Sequence, residues 1–268
     1  MLQLENLVIV KLGGSVITHK ESSPPTVNED HLSRIVKELA VHKGKLIIVI
    51  GGGAHGHQAA HKHGFGNPDT PSEKLLAGIP EIRHNMLLLA SRVEKELKIQ
   101  GIPGVVISPF MFVTLRNNLI DHFSTEIIEE TLKAGISVII HGDVCIDKTK
   151  SASILSGDTI AKHLAEQLMP RAVLIGTNVD GVMDDNPTDN PNAKPIPLIN
   201  NSNKTEILSL TGPSSSTDVT GGMTKKITEL LDLANLNVEI AIFNLLVSGR
   251  LTALLENKSV ICTRIQST

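Results

Sequence analysis

The chain alternates short, continuous apolar runs with longer stretches in which apolar residues recur every three or four positions. Residues 7–12 (LVIVKL) and 46–50 (LIIVI) are compact, rich in β-branched side chains and closed by glycine, the pattern of buried strands. Between them, Leu32, Ile35, Val36 and Leu39 form one apolar stripe over residues 28–41, which predicts a helix. Strand, glycine turn, helix and strand already imply βαβ organisation. A helix starts after Ala54 and is interrupted by the Gly, Pro, Asn and Asp residues of 64–71. Helical spacing then covers 81–98, 124–133, 156–168, 225–233 and 248–255, while strand signals fall at 104–108, 136–140, 172–175, 239–243 and 259–265. Residues 187–197, with four prolines, and the Gly/Ser/Thr-rich stretch 211–226 read as surface loops. The alternation predicts an α/β fold with a mostly parallel sheet covered on both faces.

Composition narrows the setting. A chain of 268 residues buries a substantial core without help, and with five Phe and no Trp or Tyr that core rests on Leu, Ile, Val, Ala and Met. The formal net charge is −3 and no Lys/Arg run forms a nucleic-acid footprint, although a few local cations suffice for a small anionic ligand. No secretory pattern opens the chain and no apolar stretch reaches the roughly 18 residues that span a bilayer, so no membrane is expected and a cytoplasmic protein is. Cys145 and Cys262 have no metal-ligand spacing and are expected as free thiols.

The candidate chemistry gathers at glycines. Gly13-Gly14 and Gly51-Gly52-Gly53 end two predicted strands and open toward helices. In open α/β sheets ligands collect there, because bare backbone N–H groups and a helix N-terminus accept phosphate oxygens. Tight turns with ordinary packing are the competing reading. Familiar nucleotide motifs do not fit: GxxxxGK[ST] is absent, and GGGAHG lacks the final glycine of GxGxxG. Lys11 flanks the first glycine turn, Lys20 follows it, and Lys226 opens the helix after Thr220-Gly221-Gly222. Lysines so placed offset charge in phosphoryl transfer. Asp143 and Asp158 either position those lysines or magnesium, or cap helices. His55, His57, His61 and His63 follow no recognised zinc spacing.

Seven segments in order, VKLGGSVITHK (10–20), GGGAHGH (51–57), GDVCID (142–147), SGDTIAKHLA (156–165), TNVDGVMDDNP (177–187), TDVTGGMTKK (217–226) and CTRI (262–265), resemble the amino acid kinase superfamily and within it the archaeal-type isopentenyl phosphate kinases. The resemblance implies a single α/β/α sandwich over 1–268, with an acceptor-binding lobe at 1–170 and an ATP-binding lobe at 171–268. It implies a homodimer that uses ATP with Mg²⁺ to convert isopentenyl phosphate to isopentenyl diphosphate, the metal arriving with the nucleotide rather than on a ligand cluster of its own. Carried over by motif, Lys11, Lys20, His57 and Asp158 would be catalytic; Lys11, Gly13, Gly14, Thr177, Asp180, Gly181, Met223 and Lys226 would serve the nucleotide; Gly52, Gly53, His57, Gly142 and Gly157 would serve the acceptor. His57 would meet the acceptor phosphate, and the helix at 81–98 would either wall an isoprenoid tail or simply fill the core.

Three positions depart from that pattern: His55 stands where the branch usually has Phe, Asn178 interrupts TDVDG, and Cys262 replaces a glycine before TRI. Related kinases acting on fosfomycin, UMP or another small acceptor are the nearest enzymatic alternatives, and a catalytically silent nucleotide-binding regulator is the alternative from another class.

Overall fold

The computed structural model describes residues 4–19, 22–187, 189–210, 222–236 and 238–267. Eight strands form the main sheet in the spatial order Leu198–Ile199, Cys262–Ile265, Glu239–Asn244, Ala172–Thr177, Val8–Leu12, Leu46–Ile50, Ser137–His141 and Gly104–Val106. Every neighbouring pair runs parallel except Glu239–Asn244 against Cys262–Ile265. Alternation along each strand divides the core in two. Val8, Val10, Leu12, Ile48 and Ile50 meet one layer of helices, Glu29–Leu39, Gly53–Lys62, Ser72–Ile99 and Arg250–Leu255. Ile9, Ile47 and Val49 meet the other, Glu126–Lys133, Gly157–Leu168 and Gly222–Leu233. This is the expected α/β/α sandwich. Its central strands are buried on both faces, which is why their sequences read as unbroken apolar runs.

Two elements differ from the sequence pattern. The helix expected at 81–98 is far longer, Ser72–Ile99, with Pro80 inside it. Gly78 is the small residue that lets the helix lie against His63, where a Cβ would come within 2.7 Å of that side chain. A second sheet was also hidden. Ser151–Leu155, Asp143–Asp147, Val113–Arg116 and Leu119–Phe123 stack in that order, so the chain leaves the main sheet at His141, turns on Gly142 and at once begins a new strand.

Asp147 ties this small sheet together. Its carboxylate, in a residue only 2 % exposed, accepts hydrogen bonds from the N–H groups of Asn117, Asn118, Thr149 and Lys150 and from Ser153 Oγ, all within 2.8–3.0 Å. Burial opposes ionisation, but these donors outweigh it and hold the carboxyl far below the usual carboxylate range. A folded-state value below the unfolded one stabilises the fold above the unfolded value, and that stability is lost as pH falls toward the folded value. Asp147→Ala is therefore expected to cost about 2–3 kcal/mol at neutral pH, and to flatten the loss of stability that the parent shows below about pH 4. Urea melts of both proteins between pH 7 and pH 3 check this; an unchanged acid slope would count against the role given to Asp147.

Candidate active site

The strand Val8–Leu12 presents Lys11 on the same face as Ile9, at the carboxyl end, where the helix Gly157–Leu168 packs on it. That helix begins with Ser156, whose Oγ accepts from Thr159 N at 3.1 Å, so Asp158 falls in its first turn. Lys11 and Asp158 meet there. The ammonium lies 3.1 Å from Asp158 Oδ1 and 3.3 Å from Oδ2, with Lys11 only 8 % exposed. A lysine this buried needs a counter-charge, and 147 residues of sequence separation supply it.

The two glycine turns interlock beside this pair. A Cβ on Gly14 would stand 2.1 Å from Gly53 N and 2.9 Å from Gly51 O, and one on Gly13 would stand 2.6 Å from Gly176 O. Backbone therefore packs on backbone across three adjacent strand ends. The helix Gly53–Lys62 rises from this floor, and its first-turn N–H groups have no intrahelical acceptors. Thr18 Oγ1 takes that of Ala54 at 3.1 Å, and Thr18 in turn donates to Gly14 O at 2.8 Å. Gly56 N closes the turn on Gly52 O at 2.9 Å.

A cleft continuous with solvent opens above this floor. Of the residues singled out from sequence, Lys11, Gly52, His57, Gly142, Gly157 and Asp158 all line it, together with Asp143. Gly142 contributes closeness rather than a donor, since its N–H already bonds to Ile50 O at 2.8 Å. Gly13, Gly14 and Gly53 shape the floor without lining the cleft. The opposite wall is apolar: Ala60, Ile82, Met86 and Ile154. The resemblance had offered the helix bearing Ile82 and Met86 either for this role or as core, but Ile154 belongs to the second sheet and carried no signal.

His55 is 6 % exposed and does not line the cleft. Burial pushes its pKa down and so favours the neutral ring.

Thr177, Asp180 and Gly181 form a separate turn after the neighbouring strand Ala172–Thr177. Thr177 Oγ1 donates to Val179 O, Asp180 Oδ1 accepts from Arg250 at 2.6 Å and from Asn244 Nδ2 at 3.0 Å, and Gly181 sits where a Cβ would be 2.4 Å from Thr263 Oγ1. Burial opposes ionisation of Asp180, but the Arg250 and Asn244 donors prevail and lower its pKa. Arg250 went unnoticed in the sequence because its partner lies 70 residues away. Lys20 and the side chains of Met223 and Lys226 lie outside the described residues, as does the loop at 211–221. Among the described residues no group of three His, Cys, Asp or Glu side chains is assembled to hold a metal ion, and no helix is long and apolar enough to cross a membrane.

A mostly parallel sheet with interlocked glycine turns, a buried lysine–aspartate pair and an apolar-walled cleft at the strands' carboxyl ends is an open α/β architecture with a ligand-sized crevice and no Walker loop. The sequence pattern of the Amino acid kinase family matches residues 6–244, and the chain belongs to that family. The isopentenyl phosphate kinase of Methanothermobacter thermautotrophicus is 36 % identical over 265 residues, which cover 97 % of this chain and 98 % of the relative. That of Methanocaldococcus jannaschii is 38 % identical over 231 residues, covering 82 % and 85 %. A solved structure described as an X-ray structure of isopentenyl phosphate kinase superposes with a TM-score of 0.79 at 34 % identity, covering 97 % of this chain and all of that one.

Proposed function

We propose that the protein transfers the γ-phosphoryl group of ATP to isopentenyl phosphate, releasing isopentenyl diphosphate and ADP. One observation carries the reading: the cleft joins a polar, glycine-floored end at Lys11, Gly52 and His57 to an apolar wall at Ala60, Ile82, Met86 and Ile154. That shape suits a monophosphate with a short hydrocarbon tail. UMP would bring a polar base and ribose to the apolar wall and leave their donors and acceptors unpaired. The relatives named isopentenyl phosphate kinase support the same acceptor.

An acceptor phosphate oxygen attacks the γ-phosphorus in line while the bond to the β-phosphate oxygen breaks, and ADP departs. No side-chain nucleophile is required. Lys11 offsets charge on the transferring oxygens, and Asp158 holds its ammonium in place. His57 and the backbone at Gly52, both lining the cleft, hold the acceptor phosphate. Residues 1–170 thus carry the acceptor and residues 171–268 the nucleotide, with Thr177, Asp180 and Gly181 on its turn and Lys20, Met223 and Lys226 completing the phosphate end. Mg²⁺ bound with ATP would offset charge on the phosphate oxygens, and no side-chain ligand is assigned to it.

The test is ADP release, with product masses, from purified protein given ATP, Mg²⁺ and isopentenyl phosphate, fosfomycin, UMP or no acceptor. Turnover of another acceptor alone would sink the substrate and leave the fold class standing; silence with all of them would favour the regulator. His57→Ala is expected to raise the KM for isopentenyl phosphate about tenfold or more, the loss of one hydrogen bond to a charged group, while the KM for ATP moves little. Equal rises for both substrates would remove His57 from the acceptor site. A homodimer is expected of this reading, and sedimentation equilibrium measures it directly.

A further inference from the structure

Beside the cleft lies a buried polar cluster that the proposed reaction leaves unused. Arg83 leaves the long helix one residue after Ile82, its guanidinium stacked 4.1 Å from the centre of the Phe110 ring. One of its terminal nitrogens donates to Ser108 Oγ at 3.3 Å, and its Nε lies 3.9 Å from Asp143 Oδ2. Ser108 Oγ donates to the same carboxylate oxygen at 3.3 Å, Val144 N donates to Oδ1 at 2.9 Å, and His141 Nδ1 stands 3.9 Å away while bonded to Gly142 O. The Asp143 side chain is fully buried. Burial raises its pKa and lowers that of His141, which leaves Arg83 as the permanent cation facing it.

This cluster joins the two ends of the cleft. Asp143 is paired in register with Leu155, and the chain runs from Leu155 through Ser156 and Gly157 to Asp158, the partner of Lys11. On the other side, Arg83 belongs to the helix that supplies Ile82 and Met86 to the apolar wall. Glu81 of the same helix pairs with Lys62 and His63 at the far end of Gly53–Lys62, and Arg83 is the tie from the wall to the Asp143 side of the floor. We propose that Arg83 is a positioning residue that sets acceptor length: stacked on Phe110 and drawn to Asp143, it fixes the apolar wall relative to the Lys11–Asp158 end and so determines which tails bring a phosphate oxygen into line. This rests on the reading of the cleft as an alkyl-phosphate site. A guanidinium is suited to the task because it stacks and reaches two oxygens at once, which an ammonium does not.

Arg83→Met and Arg83→Lys should be compared with the parent using isopentenyl, n-propyl and n-decyl phosphates as acceptors, with thermal melts to establish folding. The expected result is a narrowing, by about tenfold, of the kcat/KM ratio between isopentenyl phosphate and the other two, since small misplacements of a reacting group carry penalties of this order. The KM for ATP should be unchanged and Arg83→Lys intermediate. A proportional loss with all three acceptors, or unchanged kinetics, overturns the proposal. Should Arg83→Met fail to fold, with the Asp143 carboxylate buried and uncompensated, Arg83→Lys and Phe110→Leu carry the same test. If the parent itself ignores isopentenyl phosphate, it is the substrate reading that fails.

Discussion

Lys11→Ala is expected to lower kcat about 10³-fold at saturating ATP and isopentenyl phosphate, with a far smaller effect on ATP affinity. The magnitude is that of removing one preorganised donor from charge that develops during reaction. In this cleft the donor is a lysine 8 % exposed and held 3.1 Å from Asp158, so water is a poor replacement for it. Asp158→Asn should lower kcat through the same ammonium, and the double variant should be little worse than Lys11→Ala alone, because residues acting as a unit are not additive. Rapid-quench measurement of product formation isolates the chemical step. A drop of less than tenfold in that step would show that Lys11 is a structural partner of Asp158 and no more.

Gly14→Ala should be among the most damaging single methyl groups at the described glycines. Its carbon would meet Gly53 N at 2.1 Å, Gly53 Cα at 2.5 Å and Gly51 O at 2.9 Å, all of them backbone atoms that no rotamer change can withdraw. A cost of about 4 kcal/mol or more is expected, read as a large fall in the thermal midpoint or as insoluble protein. Gly101→Ala is the comparison. Its φ of +71° strains any side chain, yet nothing lies within 4 Å of the added carbon, so it should cost only about 1 kcal/mol. Similar midpoints for the two variants would contradict the interlock of the two glycine turns.

The strands at Val8–Leu12 and Leu46–Ile50 were legible because both faces are buried, which leaves an uninterrupted apolar run. The second sheet was not, for the opposite reason. Leu119–Phe123 exposes Leu119 and buries only Phe123, and its neighbours depend on Asp147, a hydrogen-bond hub that one-dimensional pattern reading does not register. The site divides in the same way. Lys11, His57 and Asp158 stand out because they sit beside glycines at predicted strand and helix ends, positions with chemical meaning. Arg83 and Arg250 do not, since an arginine in a helix is ordinary until its distant carboxylate is known. The glycines were read as room for phosphate, and the structure adds a cause internal to the protein: they are where three chain segments touch.

That division assigns two different vocabularies to one cleft. The floor is written in main chain, so it offers no side chains to exchange, and a substitution there disturbs the fold before it alters what is bound. The wall is written in the side chains of Ile82, Met86 and Ile154, which can be trimmed or extended methylene by methylene. In a saturation library selected for solubility and then screened on varied acceptors, survivors at 13, 14 and 53 should be scarce, while those at 82, 86 and 154 should be numerous and divergent in what they accept. Descent from such an ancestor would yield a lineage of kinases that share one phosphate seat and differ in their guests.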